Sequence, residues 1–333
     1  MKHFCTRLIF FFVIAIFSTI AHTSFALTVS PAKIEVLGDP GATITGTVEL
    51  YNEKTKNQNI YTSFENFESN DDTGTPRFIG NDDRLATWMS APLALSLNPD
   101  ERIDVTYTIT IPEDAEPGGY FAAMFFGNQP PQNESQVSIG GRLGVLVLLR
   151  VSGDVPESGG ILDFGATDEK RFFLTPPIKF TYRFSNTGGD RVAPLGNIEL
   201  KNTFGFVRDR VDANPKKGSI LPDTARKFVN TWGRKGESPE GFFDTAASQW
   251  NQFHFGWYTA RLNLNWGEKG QASIARYSFF IFPWHLLLVS FVTLLLAFFI
   301  LKIVGRSYKQ SLVRQIEKQY EESQKKQIKS TKP

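Results

Sequence analysis

The sequence predicts an all-β chain: two tandem β-sandwiches followed by one C-terminal transmembrane helix. Three observations lead there. Residues 279–301 form an uncharged, apolar run followed at once by a basic segment. The residues before it break into many short runs rich in Val, Ile, Leu, Thr, Tyr and Phe, several alternating at period 2, which is the mark of half-buried strands. A compound motif also recurs once in each half of that region, as a tandem duplication leaves it.

At the N-terminus, Lys2 and Arg7 flank the start of Leu8–Ile20, a 13-residue apolar stretch, and Ser24-Phe25-Ala26 follows. Small residues at the two positions a signal peptidase reads mark residues 1–26 as a signal peptide. Thirteen apolar residues fall short of the roughly 20 that a span requires. The only cysteine, Cys5, lies inside this segment, so the mature chain has neither thiol chemistry nor a disulfide. A large cysteine-free exported region points to a bacterial envelope protein whose fold rests on its hydrophobic cores.

Residues 27–152 read as the first sandwich. Thr43–Tyr51, Arg102–Ile111 and Gly144–Val151 are its clearest strands, and Pro31 and Pro112 fall at run edges, where a missing N–H does no harm. The stretch from Val151 to Gly160 breaks the pattern, and residues 153–278 read as the second sandwich, with Ala260–Trp266 among its strands. No 12-residue stretch of this exterior shows a helical apolar stripe with caps, so sandwiches are favoured over a parallel sheet with crossover helices.

The repeat supports two copies. Leu97-Asn98-Pro99-Asp100 precedes one strand, and Gly118-Gly119-Tyr120-Phe121-Ala122 opens the next. Ile220-Leu221-Pro222-Asp223 and Gly256-Trp257-Tyr258-Thr259-Ala260 repeat that order. Each copy follows a strand ending in asparagine, at Asn52 and Asn186, and the second carries an insertion near 233–249. Pro-Asp presets the turn and glycine permits a positive-φ start to the strand. Tyr120 and Tyr258 are read as structural corners, ring buried and hydroxyl bonded back to the preceding loop, as in immunoglobulin-like domains.

Chemistry-bearing groups are sparse. Residues 27–278 hold one histidine, His254, between Phe253 and Phe255. This excludes most zinc sites, a serine triad built elsewhere, and thiol catalysis. Asp71, Asp72, Asp82 and Asp83, with Glu65 and Glu68 nearby, gather around Gly74 and Gly80. They are a candidate calcium loop or a solvated insertion, and a paired-carboxylate hydrolase is a remote alternative. No cofactor is expected. Phe242, Phe243 and Trp250 in the insertion are the partner-binding candidates, as a flap over their own core or as exposed anchors for a partner.

As a helix, the 23 residues of 279–301 extend roughly 35 Å, against a hydrocarbon core of about 30 Å. Residues 302–333 carry nine basic and three acidic side chains, net +6, whereas 27–278 sum to −6. Positive charge stays cytoplasmic, which places 27–278 outside, and an acidic exterior disfavours nucleic acid. Tyr308, Leu312, Ile316 and Tyr320 form a narrow apolar stripe if the helix continues. With the opening Leu27-Thr28-Val29-Ser30-Pro31, the Pro40-Gly41 turn and the Pro117-Gly118-Gly119-Tyr120 corner, the chain resembles the WxL-interacting protein family of bacterial surface proteins. It departs from that family in lacking a Pro-x-Asn-Gln segment after Ser30-Pro31. The resemblance implies a first domain associated with peptidoglycan and a second associated with protein partners. The expectation is a non-enzymatic, membrane-anchored envelope protein that binds cell-wall polymer or another surface protein. The alternative is an accessory subunit assembled through the helix and tail.

Overall fold

The computed structural model describes residues 27–130, 141–233 and 241–330; the expected signal peptide, 1–26, lies outside them. The first domain holds ten strands: β1 (Leu27–Ser30), β2 (Lys33–Gly38), β3 (Thr43–Asn52), β4 (Gln58–Asn70), β5 (Thr75–Gly80), β6 (Met89–Ser90), β7 (Ala94–Leu97), β8 (Arg102–Thr110), β9 (Gly118–Gly127) and β10 (Arg142–Val151). They form two sheets, ordered β1-β3-β8-β6 and β2-β10-β9-β4-β5, with β7 on β4. The period-2 pattern of β8 explains the packing. Val105, Tyr107 and Ile109 are buried while Asp104, Thr106 and Thr110 face water. Met124 and Phe126 of β9 and Val147 and Leu149 of β10 meet them from the opposite sheet.

The second domain holds β11 (Gly159–Ala166), β12 (Phe172–Phe173), β13 (Ile178–Asn186), β14 (Leu195–Asn202), β15 (Val207–Asp212), β16 (Thr224–Trp232), β17 (Gly256–Trp266) and β18 (Gln271–Ile281). Its sheets are β11-β13-β16 and β12-β18-β17-β14-β15. This core is aromatic: Phe180, Tyr182, Phe184, Trp232, Tyr258 and Phe279 are all buried in it. The chain is therefore mostly β, two immunoglobulin-like sandwiches in tandem, with short helices α1 (Leu85–Trp88) and α2 (Phe242–Asn251) and one long C-terminal helix, α3 (Trp284–Ser330).

The repeat has a shared physical basis. Asn52, fully buried, donates to the carbonyls of Leu97 and Asn98 at 3.2 and 2.8 Å, pinning the Leu97–Asp100 turn to the end of β3. Asn186, also fully buried, donates to the Ile220 carbonyl at 3.0 Å and pins the Ile220–Asp223 turn to β13 in the same way. Asp100 and Asp223 both adopt left-handed φ, 57° and 54°, a conformation that aspartate tolerates better than most residues. Tyr120 donates to the Glu116 carbonyl at 3.0 Å, four residues upstream, as a corner should. Tyr258 is buried and stacks on Phe279 at 5.9 Å.

One expectation needs correction. The apolar run does not enter a helix at Phe279. β18 continues through Ile281, and Phe279 and Ile281 are fully buried in the second domain. Strand core and bilayer demand the same residue types, so composition could not separate them. The second sandwich thus reaches past residue 278, and the helix starts at Trp284. The exterior also contains short helices: α2, ten residues long, occupies the end of the insertion, and its N-terminal Gly241 supplies no side-chain cap, so the usual start signal is missing. The acidic segment is the end of a hairpin. Glu65 and Glu68 lie on β4, and the β4–β5 hairpin turns through a 3₁₀ segment at Asp71–Thr73.

Candidate functional site

Two surfaces concentrate unusual features: the end of the second sandwich from which α3 departs, and the crevice between the domains.

Only Phe282 and Pro283 separate β18 from α3. That junction is fixed. The Phe282 amide donates to the Phe173 carbonyl at 2.9 Å, and the Leu287 amide donates to the Pro283 carbonyl at 3.1 Å. A helix start leaves its first amides without helical partners. Here Gln249 of α2 supplies one, its Oε1 accepting from the Leu286 amide at 2.8 Å. Its Nε2 lies 3.3 Å from both His285 Nδ1 and the Leu174 carbonyl. Gln249 is almost wholly buried, and nothing in the sequence marked it. Phe242 packs on His285 and Trp284, with ring centroids 5.0 and 5.8 Å apart. It is therefore neither a flap over its own sandwich core nor a free anchor, because α2 brackets the root of α3. The other two candidates, Phe243 and Trp250, point outward, 77% and 71% exposed.

Strand register places further aromatic side chains at this end. Gly256 lies opposite Ile281, and Asn202 lies opposite Tyr258. The start of β17, the end of β18 and the β14–β15 turn therefore share one edge of the domain. Trp257 and Phe280 meet at 5.2 Å, Phe255 touches Phe280 and Phe282, and Phe172 touches Phe280. In the turn, Asn202 Oδ1 accepts from the Phe204 and Phe206 amides at 3.1 and 3.0 Å, which holds both rings out in solvent. Among the described residues, eleven aromatic side chains ahead of Phe291 are exposed. All but Phe78 of the first domain belong to this end.

The domains meet through paired charges and a small apolar contact. Arg150 bonds Asp190 at 2.9 Å and Glu268 at 3.0 Å, and Arg191 bonds Glu35 at 3.2 Å. The Gly119 amide donates to the Gly189 carbonyl at 2.9 Å. Leu221, from the pinned turn of the second domain, packs with Phe67, Ala123 and Phe125 on the outer face of the first domain's sheet. A cavity of about 370 Å³ opens beside these ion pairs, with Lys33, Lys217 and Glu157 also on its wall. Hydrogen bonding from Lys33, and then the bond and charge of Arg191, hold the Glu35 carboxyl below the usual carboxylate range.

The remaining sequence candidates are dispersed. Asp72 bonds Arg183 across the domain boundary at 2.8 Å. Glu68 is bridged by Arg77 and Arg84, and Glu65 by Arg142. Asp82 and Asp83 are exposed, and the side chain of Asp71 lies outside the described residues. Among the described residues no three His, Cys, Asp or Glu side chains gather as a metal ion needs. His254 stacks edge-on against Trp232 at 4.8 Å, and its Nδ1 donates to the Gln252 carbonyl at 2.9 Å. That is a packed ring, not a base aimed at a substrate.

No family model matches the chain, and no curated protein matches it. Among solved structures it is similar to the class 5 fimbriae chaperone CfaA, at 12% identity over 75% of this chain and 98% of that one, with a TM-score of 0.39. It is also similar to a chain of the CsuC–CsuE chaperone–tip adhesion subunit complex of Acinetobacter baumannii, at 10% identity over 75% and 97%, TM-score 0.35. The E. coli chaperone DraB gives 10% identity over 78% and 98%, TM-score 0.33. Likenesses this distant carry no functional assignment.

Proposed function

We propose that this chain is a non-enzymatic, single-pass envelope protein that holds a rigid pair of sandwiches outside the membrane, where they capture a macromolecular partner. The observation that carries this reading is the junction at Phe282-Pro283. A helix with an 18-residue window of mean hydropathy 2.7, none of it buried, is fused without slack to the last strand of a folded domain. An apolar helix of that length left bare needs a bilayer. The net +6 segment after it supports a cytoplasmic tail. The ion pairs and the Leu221 contact support one stiff two-domain unit, suited to presenting a surface rather than to closing on a substrate. No nucleic-acid role is expected of the acidic exterior.

The partner is read as an envelope protein or cell-wall polymer, as the resemblance to WxL-interacting proteins implies. Crosslinking in intact cells, combined with co-sedimentation of the detergent-solubilised full chain with cell-wall sacculi, tests this. A specific crosslinked protein or salt-resistant sedimentation is the expected result, and the absence of both would refute capture.

One observation favours the second reading, assembly through the helix. Beyond residue 301 the helix continues to Ser330, and Tyr308, Leu312 and Ile316 are exposed along one stripe; the side chain of Tyr320 lies outside the described residues. Exchanging residues 284–333 for an unrelated anchor separates the readings, since display survives the exchange and assembly does not.

A further inference from the structure

The aromatic edge around the root of α3 is too concentrated to be incidental. We propose that this end of the second sandwich is a lipid seat. On this view the rings around the helix root sit in the headgroup layer of the outer leaflet and fix the tilt of the whole ectodomain. The inference rests on the reading of α3 as a membrane span and goes beyond it, because a span alone leaves the domain free to stand off the surface.

Distance decides first. Three Cα steps separate Ile281 from Trp284, so the sheet edge lies at most about 11 Å from the first residue of the helix. Trp257 and Phe280 are one residue in from that edge, about 3 Å along the strand. The headgroup layer on each side of a bilayer is roughly 5–8 Å deep. Phe282 lies two Cα steps from Trp284, at most about 8 Å, so a bilayer that accepts α3 from Trp284 onward can hold Phe282 in this layer, with the rings of β17 and β18 at its outer margin.

Span length acts in the same direction. From Trp284 to Leu301, the last residue before Lys302, there are 18 residues, a rise of about 27 Å against a hydrocarbon core of about 30 Å. A short span is accommodated by thinning the bilayer or by drawing flanking groups inward. On the far side Lys302 can extend its ammonium to the surface. On the near side the flanking groups are Phe282, Trp284 and the rings of β17 and β18.

Side-chain chemistry completes the case. Tryptophan favours the membrane interface, where its ring is apolar and its N–H meets headgroups, and phenylalanine buries apolar area at the headgroup–acyl boundary. Four separate segments deliver exposed rings to this end: β12, the β14–β15 turn, the stretch from α2 into β17, and the end of β18. Gln249 and Phe242 lock α2 to the helix root, so Phe243 and Trp250 are presented from a rigid bracket beside the bilayer and not from a wandering loop.

The test uses the full chain in proteoliposomes of phosphatidylcholine and phosphatidylglycerol with brominated acyl chains, whose bromines quench nearby tryptophan. Wild type is compared with the W250F/W257F double variant and with W284F; each keeps an aromatic ring, and thermal melts confirm folding. The expected result is that W250F/W257F loses more than half of the bromolipid-quenchable emission, and that aqueous acrylamide reaches these two residues poorly. If only W284F loses quenchable emission while acrylamide reaches Trp250 and Trp257 freely, the span holds and the seat is refuted. If neither variant changes the quenching and the protein fails to float with the vesicles, the span reading itself has failed. If Trp250 and Trp257 are shielded in native membranes but open in proteoliposomes, a protein covers this edge and the lipid seat is refuted.

Discussion

Replacing Phe279 with alanine separates the two meanings of the apolar run. By composition alone Phe279 is the first residue of a membrane span, and there the substitution would cost the ectodomain nothing. In the structure its ring is fully buried among Phe173, Phe180, Tyr258 and Trp232, with centroids 5.5–6.0 Å away. A buried phenylalanine cut to alanine costs about 3–5 kcal/mol in transfer free energy and residual cavity. Whole domains are stable by only about 5–15 kcal/mol. For a domain of this size the loss corresponds to a fall in melting temperature of about 10–20 °C. The assay is thermal and urea unfolding of the full chain in mild detergent, followed by near-ultraviolet circular dichroism, which reports the packed aromatic core. Phe282→Ala is the control. Its ring is 44% exposed, and its loss should cost about 1 kcal/mol or less. If F279A melts within a few degrees of wild type while F282A does not, the placement of β18 and of the helix start is wrong.

Other substitutions probe other links. Asn186→Ala removes a fully buried amide that donates to the Asp190 and Ile220 carbonyls and accepts from the Gly188 amide; a loss of about 2–4 kcal/mol is expected in urea unfolding, since the backbone groups left behind lose their partners. Gln249→Ala should speed hydrogen exchange at the Leu286 amide by tenfold or more, corresponding to about 1.4 kcal/mol, and leave the first domain unchanged. Arg150→Ala leaves Asp190, itself 7% exposed, without its closest cation; small-angle scattering and limited proteolysis between Val151 and Gly159 should then show the two sandwiches loosened. The depressed pKa of Glu35 sets a direction with pH: its contribution is fully present above the ordinary glutamate pKa and is lost as pH falls through the lower folded value. Acid unfolding of Glu35→Gln should therefore be flatter than wild type below about pH 4.3, and added salt should shrink the difference because the carboxyl is partly exposed.

The sandwich pair was legible because alternation and turn chemistry are local. The duplicated Pro-Asp turns and glycine-opened strands could be matched by eye, and Asn52 and Asn186 already stood at equivalent strand ends. Their function, holding a turn 34 to 46 residues away, needs the fold to be seen. The start of α3 was not legible, because Phe279, Ile281 and Phe282 suit a strand core, a membrane and an exposed aromatic edge equally well. The role of α2 was hidden for a different reason. Its decisive contact, from Gln249 to Leu286, joins residues 37 apart through a polar side chain that carries no pattern. In the acidic cluster Glu68 pairs with Arg77 only nine residues on, but the other countercharges are distant in sequence: Arg183 is 111 residues from Asp72, and Arg142 is 77 from Glu65.

The central claim, a sandwich pair outside and a basic tail inside, is tested most directly by cysteine accessibility in whole cells. Cys5 is the only cysteine of the chain, so in a Cys5→Ser background the protein carries only the cysteine that is introduced. Thr106→Cys on the outward face of β8 and Arg314→Cys on the helix beyond the span are both exposed positions. A membrane-impermeant maleimide applied to cells with the outer envelope layers permeabilised should label T106C at once, and R314C only after the inner membrane is opened. Labelling of R314C in sealed cells, or protection of T106C there, would contradict the topology on which the display function depends.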